Sequence, residues 1–195
     1  MKAQMRFQKY LMLITLIVAA LSFVYAISFC SGTIYQYNQL YSKPNTQRVE
    51  GAYALWRVSQ DFCNLFMWLS IVLILVVLLN YLMATQSRRN YYVTNYISIG
   101  ITIVYQVVFA VLLIIYVSDV FSYFEAIDVA KATEALKRYR SMDLRYSTLN
   151  FTLGYVLAAA IICNAVVMGL NLLWKIKLMK GEKALLEGGL VKEVA

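Results

Sequence analysis

The sequence predicts an all-α fold: a four-helix transmembrane bundle with helical extracytoplasmic extensions, organised as a single domain over residues 1–195. Three observations carry that expectation. The chain is 62% hydrophobic and 14% charged, whereas an ordinary soluble domain is roughly 45–50% apolar and about 25% charged. Four uncharged apolar stretches are each long enough to cross a hydrocarbon core, which takes about 20 residues. The basic residues are shared unevenly between the segments that join those stretches. The apolar runs are continuous rather than alternating, so helices, not barrel strands, are expected to satisfy the backbone in lipid.

The first span is expected over about 10–30, behind Lys2, Arg6 and Lys9. It is long for a signal-peptide core, and Phe29 is too bulky to precede a lipoprotein cysteine, so the span is expected to be retained. After Pro44, Asn45 and Thr46 are candidate helix caps. Val49, Ala52, Tyr53 and Trp56 then repeat at helical spacing, with Glu50, Arg57 and Asp61 on the opposite face. This amphipathic stretch should extend the second span, about 62–84, outward, or lie on the bilayer. A short link carrying Arg88 and Arg89 forces the third span, about 93–117, to run antiparallel to the second.

Residues 118–149 contain neither Pro nor Gly. Asp128 with Lys131, and Glu134 with Lys137 and Arg138, make helix-spaced pairs of opposite sign. The apolar face changes near Asp128, which predicts a break there. The fourth span is expected over about 150–174, and Lys175, Lys177, Lys180, Lys183 and Lys192 follow it as a topology anchor. The N-terminus, the short link and the C-terminal tail together carry ten of the eighteen basic residues in far fewer positions than the other two loops. The positive-inside rule therefore expects an integral membrane protein with both termini cytoplasmic. Many of the sixteen tyrosines fall near expected span ends, where amphipathic rings belong.

The chain has no histidine, which excludes His-ligated haem, His-bound zinc and imidazole-based triads. No Asp, Glu, Lys or Arg lies inside an expected span, which argues against ion-coupled carriers and embedded acid–base catalysis. No catalytic, metal-binding or cofactor-binding set is expected. The net charge of +8 calls for no nucleic acid, because juxtamembrane lysines suit anionic lipid.

What the spans do contain is a neutral polar pattern. Asn95, Ser98, Thr102 and Gln106 share one face of span three, and Asn164 and Asn171 share one face of span four. Asn80 lies near the inner end of span two, and Thr15 occurs in span one. Amides facing lipid are costly, so these faces should turn inward, either as interhelical hydrogen bonds or as a hydrated pathway. Gly154 with Ala158, and Ala165 with Gly169, would permit close helix approach. Cys30 and Cys63 are expected at similar depth, as a disulfide or as free thiols, and Cys163 as a packing residue.

Four spans with two outer loops is also the layout of claudin-like and tetraspanin families. Gly51, Leu55-Trp56 and Cys63 superficially resemble a claudin loop signature, but the second cysteine is missing, as is the Cys-Cys-Gly of tetraspanins. No family is assigned. The leading expectation is a non-catalytic accessory, assembly or scaffold subunit of a membrane complex. The alternative is an oligomeric channel or transport component lined by the polar face of span three. The expected partners are membrane lipids and, within the membrane, another protein or further copies of the chain.

Overall fold

Inward-facing positions recur along each long helix at steps of three and four. They are Gln4, Gln8, Leu11, Thr15, Ala19, Ser22 and Ala26 on the first, and Leu55, Ser59, Phe62, Phe66, Ser70, Leu73, Val77 and Asn80 on the second. The third shows Asn95, Ile99, Thr102, Gln106, Phe109, Leu113, Val117, Val120 and Phe124, and the fourth Phe151, Ala158, Ile161, Asn164, Met168, Asn171 and Lys175. A 3–4 repeat keeps one seam of a helix on its neighbours and gives the shallow crossing of helical bundles.

In a computed structural model the described residues are 2–34, 49–85, 93–128, 130–134 and 148–193. Among the described residues there are four long helices: α1 (Lys2–Ser28), α2 (Ala52–Thr85), α3 (Val93–Glu125) and α4 (Leu149–Glu193). Among the described residues there is no strand. All four helices are long and apolar enough to cross a membrane, as an integral membrane protein requires. Their outer surface is paved with large apolar side chains such as Leu75, Val104, Val156 and Leu173. That is the arrangement of a protein whose solvent is hydrocarbon.

Each helix packs on two neighbours, in the cyclic order α1, α2, α3, α4. Cross-helix contacts show that neighbours run antiparallel. Tyr25 near the end of α1 bonds Asn150 at the start of α4, and Asn80 near the end of α2 bonds Ser98 near the start of α3. One end of the bundle therefore gathers the start of α1, the end of α2 and the start of α3. We call it the amide end, and the opposite end the disulfide end.

At the disulfide end, α1 passes into a π-helical turn, Phe29–Ile34. Phe29 continues the inward repeat of Ser22 and Ala26 into the core, and Cys30 forms a disulfide with Cys63 of α2, at a Cα–Cα separation of 5.8 Å. Rings from every helix meet there. Phe29 lies 4.7 Å from Phe62, Phe62 stacks on Phe66 at 4.6 Å, Phe66 meets Phe109 edge-on, and Phe151 packs against Phe29 and Phe124.

The helices run past the expected spans. α2 begins at Ala52, so the stretch expected to extend the span at about 62–84 or to lie on the bilayer is continuous with it, behind Gly51, whose φ of 83° suits a residue without Cβ. Val49, Ala52 and Leu55 are buried there, whereas Tyr53, which shares the expected apolar face with Val49 and Ala52, is 53% exposed. α3 continues to Glu125, and the predicted break follows: a turn, then Asp128 accepting from the backbone N–H groups of Ala130 and Lys131. The Lys131 N–H, followed by its side chain, holds the Asp128 carboxyl below its ordinary range. The candidate caps Asn45 and Thr46, the Arg88–Arg89 link and the pairs of Glu134 with Lys137 and Arg138 involve residues outside the described ones.

Candidate functional site: a polar seam inside the bundle

The polar residues of α3 do not act as one face. The structure divides them between two neighbouring helices. Toward α2, Ser98 Oγ donates to Asn80 Oδ1 at 2.7 Å, and Asn80 Nδ2 donates to Thr102 Oγ1 and to the Ser98 carbonyl. Thr102 Oγ1 in turn donates to the Ser98 carbonyl at 2.8 Å. One amide, Asn80, thus uses both its donor and its acceptor on α3. The reason is depth: Asn80 sits a turn from the end of α2, where antiparallel threading sets it opposite the start of α3.

Toward α4, Gln106 Oε1 accepts from Asn164 Nδ2 at 3.3 Å. Asn164 Nδ2 also lies 3.0 Å from Thr15 Oγ1 on α1, whose hydroxyl donates to the Leu11 carbonyl at 2.8 Å. Met168 Sδ lies within 3.8 Å of the Asn164 amide. This knot ties three helices at the middle of the bundle. Gln106 and Asn164 are 1% and 7% exposed, so each would be costly in hydrocarbon without the other.

A third group lies closer to the amide end. Gln4 Nε2 donates to Asn171 Oδ1 and to Gln8 Oε1, both at 3.2 Å. Asn171 Nδ2 is buried and makes no hydrogen bond among the described residues. One turn further along α4, Lys175 is 1% exposed, and its ammonium lies 4.6 Å from the centre of the Tyr96 ring. A cation over an aromatic face is attracted by the ring quadrupole, most strongly where water is excluded. Asn95, beside Tyr96, is also buried.

Of the predicted seam, then, Asn80, Ser98 and Thr102 come together, Gln106 and Asn164 form a second group with Thr15, and Asn171 belongs to a third with Gln4 and Gln8. Lys175 differs from the exposed Lys177 and Lys180 of the same tail. It continues the inward repeat of Ile161, Asn164, Met168 and Asn171, so helix phase carries it into the bundle. Gln4 and Gln8 were missed because they precede the expected span, although their spacing of four leads directly into Leu11 and Thr15. Cys163 is exposed on the outer surface and is not a packing residue, because it falls between the inward positions Ile161 and Asn164. The small-residue pairs also separate. Gly154 is buried against α1, whereas a Cβ at Gly169 would meet nothing.

Chemically the seam offers amides, hydroxyls, a thioether and one ammonium. These groups donate and accept hydrogen bonds, and no carboxylate is among them. Among the described residues no three His, Cys, Asp or Glu side chains gather into a metal-ligand set. No family model matches the chain, and no curated protein or solved structure matches it.

Proposed function

We propose that the chain is a non-catalytic integral membrane protein that serves as an accessory, assembly or scaffold subunit of a membrane complex. The observation that carries this reading is that the mid-bundle polar groups bond one another. Thr15, Gln106 and Asn164 join α1, α3 and α4, and Ser98 and Thr102 are taken by Asn80. The polar face that would line a conduit on α3 is thereby divided between two internal contacts, which is the expected use of amides as glue between helices in lipid.

In this reading both termini are cytoplasmic, and the ends of α2 and α3 at the disulfide end, with residues 126–128 and 130–134, project on the other side. The basic residues at the amide end support that orientation. So does the Cys30–Cys63 disulfide, a bond that persists on an oxidising face. The parts offered to a partner are then the lipid-facing helix surfaces and the projecting ends.

Native mass spectrometry of the protein extracted gently from its own membrane tests the proposal. A defined complex with a different protein supports it. A closed ring of this chain alone overturns it in favour of a channel. Cysteines placed at Ser98, Thr102 and Gln106 give the second readout: silence toward a water-borne maleimide supports packing, and reaction supports a conduit.

A further inference from the structure

The seam between α1 and α4 is closed at its disulfide end by a specific contact. Tyr25 Oη donates to the Asn150 carbonyl at 2.9 Å. Gly154 makes room for that ring: a Cβ there would come within 2.5 Å of the Tyr25 hydroxyl. Beside this bridge, a cavity of about 370 Å³ opens between the two helices, within the ~300–1,000 Å³ of small-molecule sites. Ser28 and Asn150 line it where the helices meet the disulfide end, and Leu21, Val24, Val156 and Ala160 line it deeper in. Val24 and Val156 are 59% and 60% exposed, so the cavity opens sideways through the wall of the bundle.

We propose that this groove holds one acyl chain of a membrane lipid, with the ester end beside Ser28 and Asn150. Three features favour that occupant. The groove opens on the face that hydrocarbon covers. Its polarity runs in the order of a leaflet, polar at the helix ends and apolar toward the middle. From Ser28 back to Leu21, and from Asn150 in to Ala160, the helices rise roughly 10–15 Å, a span suited to a hydrocarbon chain lying along the seam. A docked helix fits less well, because helix pairs in lipid approach over small residues, and the rims here carry Leu21, Val24 and Val156. The site goes beyond the scaffold reading and does not depend on it.

The test uses the full chain in phosphatidylcholine nanodiscs doped with a phosphatidylcholine that carries a diazirine in its acyl chain. Labelled positions are mapped by peptide sequencing. Label should concentrate at Val24 and Val156 about tenfold over Leu75 and Val104, the excess that holding a chain about 1.4 kcal/mol more tightly than the open surface would give. Ala160→Phe, which fills the groove, should abolish the excess. Ala159→Phe, exposed on the same helix but outside the lining, should leave it intact. Equal labelling around the bundle overturns the proposal, and that readout needs no variant. So does an excess that survives Ala160→Phe in folded protein. A native mass of two chains cross-linked through this seam also overturns it, and makes a second copy the occupant.

Discussion

The two ends of this bundle use the same inward positions for opposite chemistry. At the disulfide end the slots hold Phe29, Phe62, Phe66, Phe109, Phe124 and Phe151, and a covalent bond joins α1 to α2. At the amide end they hold Gln4, Gln8, Asn80, Asn95, Asn171 and Lys175, around a small apolar group of Leu11, Met12, Ala84, Ile99 and Met168. In lipid, burying an apolar side chain against another helix gains little over burying it in acyl chains, so packing and hydrogen bonds must hold helices together. The aromatic end relies on dispersion between large, closely fitted rings. The amide end relies on directional bonds that average about 0.6 kcal/mol each. On these energies the disulfide end is expected to be the firm end and the amide end the adjustable one.

Hollowing out the aromatic end should have the largest effect. Phe62 is fully buried and touches both Phe29 and Phe66. Phe62→Ala should cost about 3 kcal/mol, the low end for a buried Phe. The cavity and lost dispersion remain in lipid, while the gain of leaving water does not apply. Unfolding in mixed micelles measures the cost, and a loss under 1 kcal/mol would remove the claim that ring packing holds this end. Removing the cross-link comes next. Its cysteines are 33 residues apart in sequence, and the paired change Cys30→Ala with Cys63→Ala should cost about 2–4 kcal/mol through the freed unfolded chain. Reducing agent should lower the midpoint of the wild type and leave that of the double variant unmoved.

How legible these two ends were in the sequence differs for a physical reason. The four spans, their antiparallel order and the inward turn of the α3 amides follow from hydropathy and from the cost of burying an amide in lipid. The same logic stops at the span edges. Lys175 and Gln8 sit where hydropathy falls, so composition assigns them to water, and only the continuing repeat through Asn164, Met168 and Asn171 or through Leu11 and Thr15 turns them inward. The split of Ser98 and Thr102 from Gln106 was not legible, because one helical face spans roughly a third of the circumference and can meet two neighbours. Tyr25 illustrates a further limit. Interface statistics place tyrosines at the membrane surface, yet this one is fixed by the Asn150 carbonyl of another helix, in space that Gly154 leaves open.

Gly154 is where α4 meets α1 at the disulfide end. Gly154→Ala should cost about 1–3 kcal/mol as an overpacked contact, because the new Cβ meets the Tyr25 hydroxyl and lies 3.0 Å from Val117 Cγ2. Adding Tyr25→Phe should recover part of the loss, for the nearest atom is then gone. No recovery would mean that Val117, not Tyr25, sets the approach. A smaller effect is expected in the mid-bundle knot. In a double-mutant cycle of Gln106→Leu and Asn164→Leu, the pair should cost less than the sum of the single changes by about 0.6 kcal/mol. Strict additivity would show that the 3.3 Å contact contributes nothing.

The smallest effect separates the two ends by pH. The Gln4, Gln8, Asn80, Gln106 and Asn164 bonds are between neutral groups and do not titrate, so acidification should leave them alone. Beyond the disulfide end, Asp128 caps residues 130–134 and lies 3.2 Å from the Lys131 ammonium. Its folded-state carboxyl is held below the ordinary value of 3.8. The cap's stabilisation is therefore full above that ordinary value and is lost as pH falls through the lower folded one. Because the pair is exposed, salt should weaken it as well. Carboxyl-detected NMR should give Asp128 a midpoint below 3.8. Over the same range the amide protons of 130–134 should lose protection, while the side-chain amide signals of Asn80 and Asn164 stay fixed. A midpoint at or above the ordinary value would show that the cap is not formed. Movement of the Asn80 or Asn164 signals in step with Asp128 would show that the two ends are not independent.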